Sequence, residues 1–398
     1  VSDHLNVVIA GVFPYPRGMA TTRRIQRVVD GLKPHPDVSV RVVSLRQSIR
    51  ENEASGFHEG TPYETVRPSA SGAISPLALP SLWTRARARL KTAWQENQRN
   101  VLYKYSSPTP EDVVPTARAR SLGYKVVFDL IEDHDTAARI SGSVKHRLKI
   151  WLTQRLLRRI GTLADGVVVI STHLETKIRT MTRDRLPVHL QRVSVDLGLL
   201  PDPPRPFSDS PRLFYSGSFG EKDGIDVLLG AFEKVAAAHP GVRLVLTGKG
   251  EPARMTQFLE RAERSPAADR IEYRGYLSDR DYYSLLNEID IPCITRIDTE
   301  HAHAGFPFKL GEFMAAGKPV VASRVSDIPS LLTDGVDAML VPPGSVDAVA
   351  DAIEFLLAHP ADALRMAERA RATAATHFDH VKQGRDLRTF LRRVASLS

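Results

Sequence analysis

Gly305-Phe306-Pro307-Phe308-Lys309-Leu310-Gly311-Glu312-Phe313-Met314-Ala315-Ala316-Gly317-Lys318-Pro319-Val320-Val321-Ala322-Ser323 is the stretch on which the reading of this chain turns. It has the pattern of a glycine-led turn, a helix with one internal carboxylate, a glycine stop and a buried strand. A helix that starts behind a glycine turn presents unpaired N–H groups and the positive end of its dipole, which suits a diphosphate. Lys309 would add a full positive charge at that tip. Glu312, about one turn further on, can accept a hydrogen bond from a sugar or ribose hydroxyl while the phosphates sit at the helix start. Together these features point to a nucleotide-sugar site, although turn, helix and Val-rich strand also describe many purely structural βα units.

The wording of the stretch is more specific than its periodicity. Phe-Pro-Phe-Lys-Leu-Gly-Glu-Phe-Met-Ala-Ala-Gly-Lys-Pro-Val-Val, from Phe306 to Val321, closely resembles the donor-site motif of family 4 glycosyltransferases, retaining enzymes of the GT-B fold. The resemblance implies an α/β protein of two Rossmann-like domains facing a cleft, with a nucleoside-diphosphate sugar as donor substrate and no metal or other cofactor.

The rest of the chain suits that architecture. Apolar runs at Leu5–Gly11, Val38–Leu45, Val101–Tyr105, Lys125–Asp129 and Gly166–Ser171 alternate with helical stretches, the pattern of a parallel sheet covered on both faces. Pro201 to Pro211 is too proline-rich to continue a helix or strand and reads as an interdomain linker. Strands then resume at Arg212–Gly217, Val242–Gly248, Ile271–Gly275, Ile289–Thr295, Pro319–Ser323 and Ala338–Val341. The expected organisation is an acceptor-side domain over 1–200, a linker over 201–211, a donor-binding domain over 212–378, and a final segment 379–398 whose helix crosses back to the first domain.

Ligands of open α/β sheets bind beyond the carboxyl ends of the strands, and four loops there resemble family donor loops. Gly217 to Gly224, with Lys222, resembles the diphosphate loop; Thr247 to Glu251, with Gly248 and Lys249, its small-residue turn. Tyr273 to Leu277, with Tyr276 and Leu277, resembles the base-reading loop, and Gly305 to Glu312 contributes Phe306, Pro307, Phe308, Lys309 and Glu312. The chain also departs from the family pattern. The phosphate-neutralising Arg and Lys of the first loop are replaced by Ser218 and Asp223, and Ala304 stands where the paired-glutamate motif has its first member. Lys222, Lys249 or Lys309 could restore the charge, since a lysine is a movable point charge. His301 or His303 could take over a sugar-hydroxyl contact or simply face solvent.

On the acceptor side, Gly11 to Ala20 resembles the family's glycine loop, with Gly18 allowing close backbone approach and Arg17 facing either phosphate or water. Lys125 to Asp135 ends a strand in carboxylates and a histidine, where titratable groups are useful. Glu132 and His134 are the expected acceptor-side catalytic groups, with Asp129 orienting them, while Lys309 and Glu312 act on the donor. Two DxD triplets, Asp133-His134-Asp135 and Asp279-Arg280-Asp281, have the form of a metal motif, but three-residue matches are cheap and the second reads better as a helix cap.

Composition narrows the remaining options. One cysteine, Cys293, excludes a disulfide framework and lies in an apolar run, the setting of a buried spectator. No run of ~18 apolar residues and no signal-peptide pattern occurs, so a cytoplasmic protein is expected. A net charge of +8 still calls for an acidic partner. Much of the charge lies in Trp83–Trp94 and Lys145–Ile160, two basic amphipathic stretches that either rest on an anionic bilayer, suiting a peripheral enzyme with a lipid-linked acceptor, or turn an apolar stripe inward under a solvated basic back. No nucleic-acid module is present. The expected reaction is retaining transfer of a sugar to an acceptor, with a nucleotide-sugar epimerase or hydrolase, or a non-catalytic binding protein, as alternatives.

Overall fold

The computed structural model describes residues 2–46, 49, 52–67, 79–111, 113–133, 144–200 and 204–397. They form two α/β units, Val1–Ser194 with His380–Ser398, and Val195–Asp379.

In the first unit eight strands follow the order β3-β4-β2-β1-β5-β6-β7-β8. They are β1 Leu5–Gly11, β2 Val38–Ser44, β3 Ser55–His58, β4 Thr61–Thr65, β5 Arg99–Tyr105, β6 Lys125–Leu130, β7 Gly166–Val169 and β8 Val188–Leu190. All neighbours are parallel except the β3–β4 hairpin at the edge. Every residue of β1 is buried, as expected of a central strand covered by helices on both faces. The helix His380–Ala395 packs against Ala20–Leu32 so closely that a Cβ on Gly384 would collide with the Gly31 carbonyl oxygen.

The second unit has six parallel strands in the order β11-β10-β9-β12-β13-β14, the 3-2-1-4-5-6 arrangement of a Rossmann sheet. These are β9 Arg212–Gly217, β10 Arg243–Gly248, β11 Ile271–Tyr273, β12 Ile291–Ile294, β13 Val321–Ser323 and β14 Met339–Val341. Cys293 is buried in β12, and burial pushes its thiol up to about 12, which leaves it unreactive at neutral pH. Lys318, enclosed behind the helix Phe308–Ala315, donates to the Ile289 carbonyl at 2.7 Å. Burial and then the Arg205 charge push its pKa down to about 8.

The division between units lies at Ser194/Val195, upstream of the proline-rich stretch expected to be the linker. The reason is that Pro204 to Ser210 is tied to the second unit. Ser208 bonds Asp290 through both its N–H (3.2 Å) and its hydroxyl (2.9 Å), and Arg205 donates to the Asn287 carbonyl at 2.9 Å. Val195 in turn donates its N–H to the Phe378 carbonyl at 2.7 Å, pairing the two ends of the unit. Residues 201–203 lie outside the described residues.

The two basic stretches differ. In Leu79–Ala93 the apolar residues Leu82, Ala86, Leu90 and Ala93 turn inward beneath exposed arginines, and the Trp83 indole donates to the Glu111 carbonyl at 2.9 Å. In Val144–Leu157, by contrast, Leu148 (56% exposed) and Trp151 (52%) face outward among exposed Arg147, Lys149, Arg155, Arg158 and Arg159. Among the described residues no helix is long and apolar enough to cross a membrane.

Candidate functional site

In the second unit the strand order reverses between β9 and β12, the position at which open α/β sheets take ligands beyond the carboxyl ends of their strands. The loop after β9 is organised by a carboxylate. Asp223 Oδ2 accepts from the Ser218 hydroxyl at 2.7 Å, the Gly220 N–H at 3.1 Å and the Tyr215 hydroxyl at 3.1 Å, and Tyr215 accepts the Phe219 N–H at 3.0 Å. Ser218 and Asp223, where the resemblance led one to look for an Arg and a Lys, are thus bonded to each other. Burial and then Asp223 push the Tyr215 phenol well above its ordinary value, so it stays a neutral donor.

The loop is clipped to the end of β12. Thr295 Oγ1 donates to the carbonyls of Gly224 (3.0 Å) and Asp223 (3.3 Å), and the Ile297 N–H to that of Lys222 at 3.2 Å. Lys222, expected to meet phosphate, has its ammonium 3.3 Å from His301 Nε2. His303 accepts the Ser326 N–H through Nδ1 at 3.2 Å and meets Asp298 through Nε2 at 2.7 Å. Both histidines considered for a sugar contact therefore have partners inside the unit, and Ala304 is fully buried.

The turn after β10 rests on the same loop. Gly248 has φ +132°, and a Cβ there would collide with the Gly217 carbonyl oxygen; its N–H donates to the Gly275 carbonyl at 2.9 Å. Gly217, Gly248 and Gly275 thereby hold three loops backbone to backbone. Gly248→Ala is expected to push them apart and weaken nucleotide affinity at least about tenfold, since both the left-handed backbone and the contact resist a side chain; calorimetric titration reads this. Lys249, beside it, is exposed with no polar partner among the described residues. Tyr276 is half exposed and Leu277 partly buried after β11.

The helix Phe308–Ala315 begins at Pro307 with no side-chain cap on its first N–H groups. Phe306 is 1% exposed and packs on Phe378 with ring centroids 5.8 Å apart, so its side chain belongs to the core rather than to a ligand surface. Pro307 is buried and Phe308 partly exposed. Glu312 is 9% exposed, and its Oε2 accepts from Tyr282 at 2.8 Å and from Lys309 at 2.9 Å. The Lys309 ammonium also lies 3.8 Å from the centre of the Tyr282 ring. Lys309 and Glu312 are brought together, and the lysine charge leans on the carboxylate rather than standing alone at the helix tip. Tyr282 is the partner that motif reading missed; no spacing rule links it to Glu312, 30 residues away.

The first unit is described on its own. A Cβ on Gly18 would strike Thr22 Oγ1 and the Pro14 ring, so the glycine allows the loop after β1 to fold onto its helix. Arg17 is exposed, its backbone held by the Asn52 amide at 3.0 and 2.8 Å. Asp129, expected to orient acceptor-side groups, is instead committed to Arg24 at 2.6 and 2.8 Å and is fully buried. Glu132 is exposed, whereas its neighbour Asp133 is buried against Lys177 at 2.6 and 2.7 Å and His173 at 3.4 Å. His134 and Asp135 lie outside the described residues. Asp281 of the second DxD triplet bonds the Ser278 hydroxyl and takes part in the helix cap. No group of three or more potential metal ligands occurs among the described residues.

The architecture is that of the GT-B fold. Over 99% of this chain and 100% of the other, it superposes on sucrose-phosphate synthase from Thermosynechococcus elongatus with a TM-score of 0.76 at 16% identity. Over 98% of this chain and 100% of the other, it matches the Anabaena Alr3699/HepE complex with UDP-glucose, TM-score 0.71 at 17% identity. Residues 210–359 match the family described as Glycosyl transferases group 1. The phosphatidyl-myo-inositol mannosyltransferase of Mycobacterium leprae is 32% identical over 146 residues, 36% of this chain and 37% of that protein. The match therefore spans little more than a third of that relative's length, and the chain is related to glycosyltransferases of the GT-B fold through its second unit.

Proposed function

We propose that this chain is a retaining glycosyltransferase that moves a sugar from a nucleoside-diphosphate sugar, bound in the second unit, to an acceptor. The observation that carries the reading is Glu312, an enclosed carboxylate fixed by Tyr282 and Lys309 on a helix whose first N–H groups have no side-chain cap. A nucleotide's phosphates would meet those amides while its sugar or ribose hydroxyls donate to Glu312. The chemical task is to stabilise charge developing on the departing phosphate, and preorganised N–H dipoles do so without reorganising. Binding the substrate alone would not speed the step. In a retaining transfer of this kind the departing phosphate can itself take the acceptor proton, so no side-chain base is required. No resident cofactor or metal is part of this scheme. Incubation with a panel of nucleotide sugars and candidate acceptors, with the anomeric configuration of the product read by NMR, tests it: retained configuration supports the proposal, inverted configuration overturns it.

A non-catalytic nucleotide-sugar-binding role is the second reading, favoured by the Asp223 carboxylate inside the loop that would hold phosphate. It predicts binding with neither transfer nor hydrolysis.

The proposed acceptor is lipid-linked, reached from an anionic membrane surface on the cytoplasmic side. Exposed Leu148 and Trp151 amid five exposed cations support this, because apolar side chains can enter the headgroup boundary while arginines and lysines meet lipid phosphates. Leu148→Ser with Trp151→Ser is expected to leave folding intact and to reduce co-sedimentation with anionic vesicles at least about fivefold, the two side chains together supplying on the order of 1–3 kcal/mol. Equal sedimentation of parent and double variant, or of neutral and anionic vesicles, contradicts the membrane reading.

A further inference from the structure

Arg296 is the second residue beyond β12, at the point where the sheet reverses direction between β9 and β12. It is only 8% exposed. Of the five N–H groups an arginine carries, one on Nη1 donates to the Ala302 carbonyl at 3.3 Å, and among the described residues the side chain has no other hydrogen bond and no ion pair. Its other nitrogens are not fully enclosed.

Taking a guanidinium out of water is strongly unfavourable unless a counter-ion and further hydrogen bonds compensate. A nearly enclosed arginine with one long carbonyl bond is therefore incomplete as a structural element. Its surroundings say what would complete it. Thr295 and Ile297, on either side, hold the backbone of Lys222 to Gly224, so Arg296 is fixed against the loop after β9. In that loop Ser218 and Asp223 stand where the resemblance has cations, and its Lys222 is drawn to His301, as Lys309 is to Glu312. Burial lowers the Arg296 pKa, and Asp223 and Tyr215 act against that, which places the three groups within electrostatic reach of one another.

We propose that Arg296 is a diphosphate-binding residue, supplying from the end of β12 the positive charge that Ser218 and Asp223 do not provide in the loop after β9. This rests on the nucleotide-sugar reading of the second unit. A planar guanidinium can take two phosphate oxygens at once and stays charged when buried, which a lysine in the same place would not match. The Asp223 carboxylate then has a defined part: it orders the loop and adds negative charge near Arg296, so a diphosphate binds against a partly balanced site.

The test is calorimetric titration of the parent protein and Arg296→Gln with uridine, guanosine and adenosine diphosphates and with the corresponding monophosphates. For the nucleotide that the parent binds, the variant is expected to lose roughly 10- to 100-fold in diphosphate affinity, as for a charge-assisted hydrogen bond, and less than threefold in monophosphate affinity. Unchanged diphosphate affinity in folded Arg296→Gln overturns the role of Arg296 while leaving the nucleotide reading intact. No binding of any diphosphate by the parent overturns both. Should Arg296→Gln fail to fold by circular dichroism, Arg296→Lys decides: a selective loss for the diphosphate supports the assignment, and equal behaviour toward both ligands overturns it.

Discussion

Glu312→Gln is expected to lower kcat/KM by about 100-fold, because a hydrogen bond to a charged acceptor is worth ~1.5–3 kcal/mol and the same helix is the one proposed to hold the departing nucleotide. Glutamine keeps the shape and can still accept from Tyr282, but it removes the charge proposed to meet a donor hydroxyl. It also leaves the Lys309 ammonium, whose side chain is 23% exposed, without its carboxylate. A stability loss of about 1–3 kcal/mol should accompany the kinetic one, as expected when one partner of a partly enclosed pair is removed. Tyr282→Phe separates positioning from contact. It deletes one donor to Oε2 and should raise KM a few-fold with little change in kcat. Steady-state kinetics and thermal melts on both variants check this, and a Glu312→Gln enzyme within threefold of the parent would remove Glu312 from the site.

The second large effect concerns Arg24 and Asp129. They form a bidentate pair whose side chains are 3% and 0% exposed, and Arg24 also donates to the carbonyls of Gln191 and Arg192 at 3.1 Å each. Burial pulls the Arg24 pKa down and Asp129 more than offsets it, so the guanidinium stays charged. Asp129→Ala should destabilise the first unit by about 3–5 kcal/mol, the usual result of stranding one member of a buried pair. Replacing both, as Arg24→Met with Asp129→Ala, should recover much of that loss, because neither charge is then left alone. Urea unfolding of Asp129→Ala, Arg24→Met and the double variant reads the difference; a double loss equal to the sum of the single losses would show that the pair is not coupled.

Central strands were legible because burial on both faces demands near-continuous apolar runs, as in Leu5–Gly11 and Arg212–Gly217. The hairpin of β3 and β4 was not. Its segments Ser-Gly-Phe-His and Thr-Pro-Tyr-Glu-Thr sit at a sheet edge, need only half a face of apolar residues, and turn at Glu59 and Gly60 with φ of 46° and 80°. β8, Val188–Leu190, is too short to show a period. In the candidate site, Lys309 and Glu312 could be placed together from sequence because they share one helical turn. Tyr282 and Arg296 could not, since their parts depend on which strand ends the topology brings together. Asp129 misled for the converse reason: a carboxylate ending a strand looks the same whether it faces a substrate or, as here, an arginine from the helix Ala20–Leu32.

The most direct test of the central claim is calorimetric titration of the purified chain with a panel of nucleotide sugars, alongside Glu312→Gln. The account predicts that at least one nucleotide sugar binds the parent and that the variant binds it at least about tenfold more weakly, the scale of one charge-assisted hydrogen bond. Absence of binding to every nucleotide sugar, or equal binding by parent and variant, would contradict it.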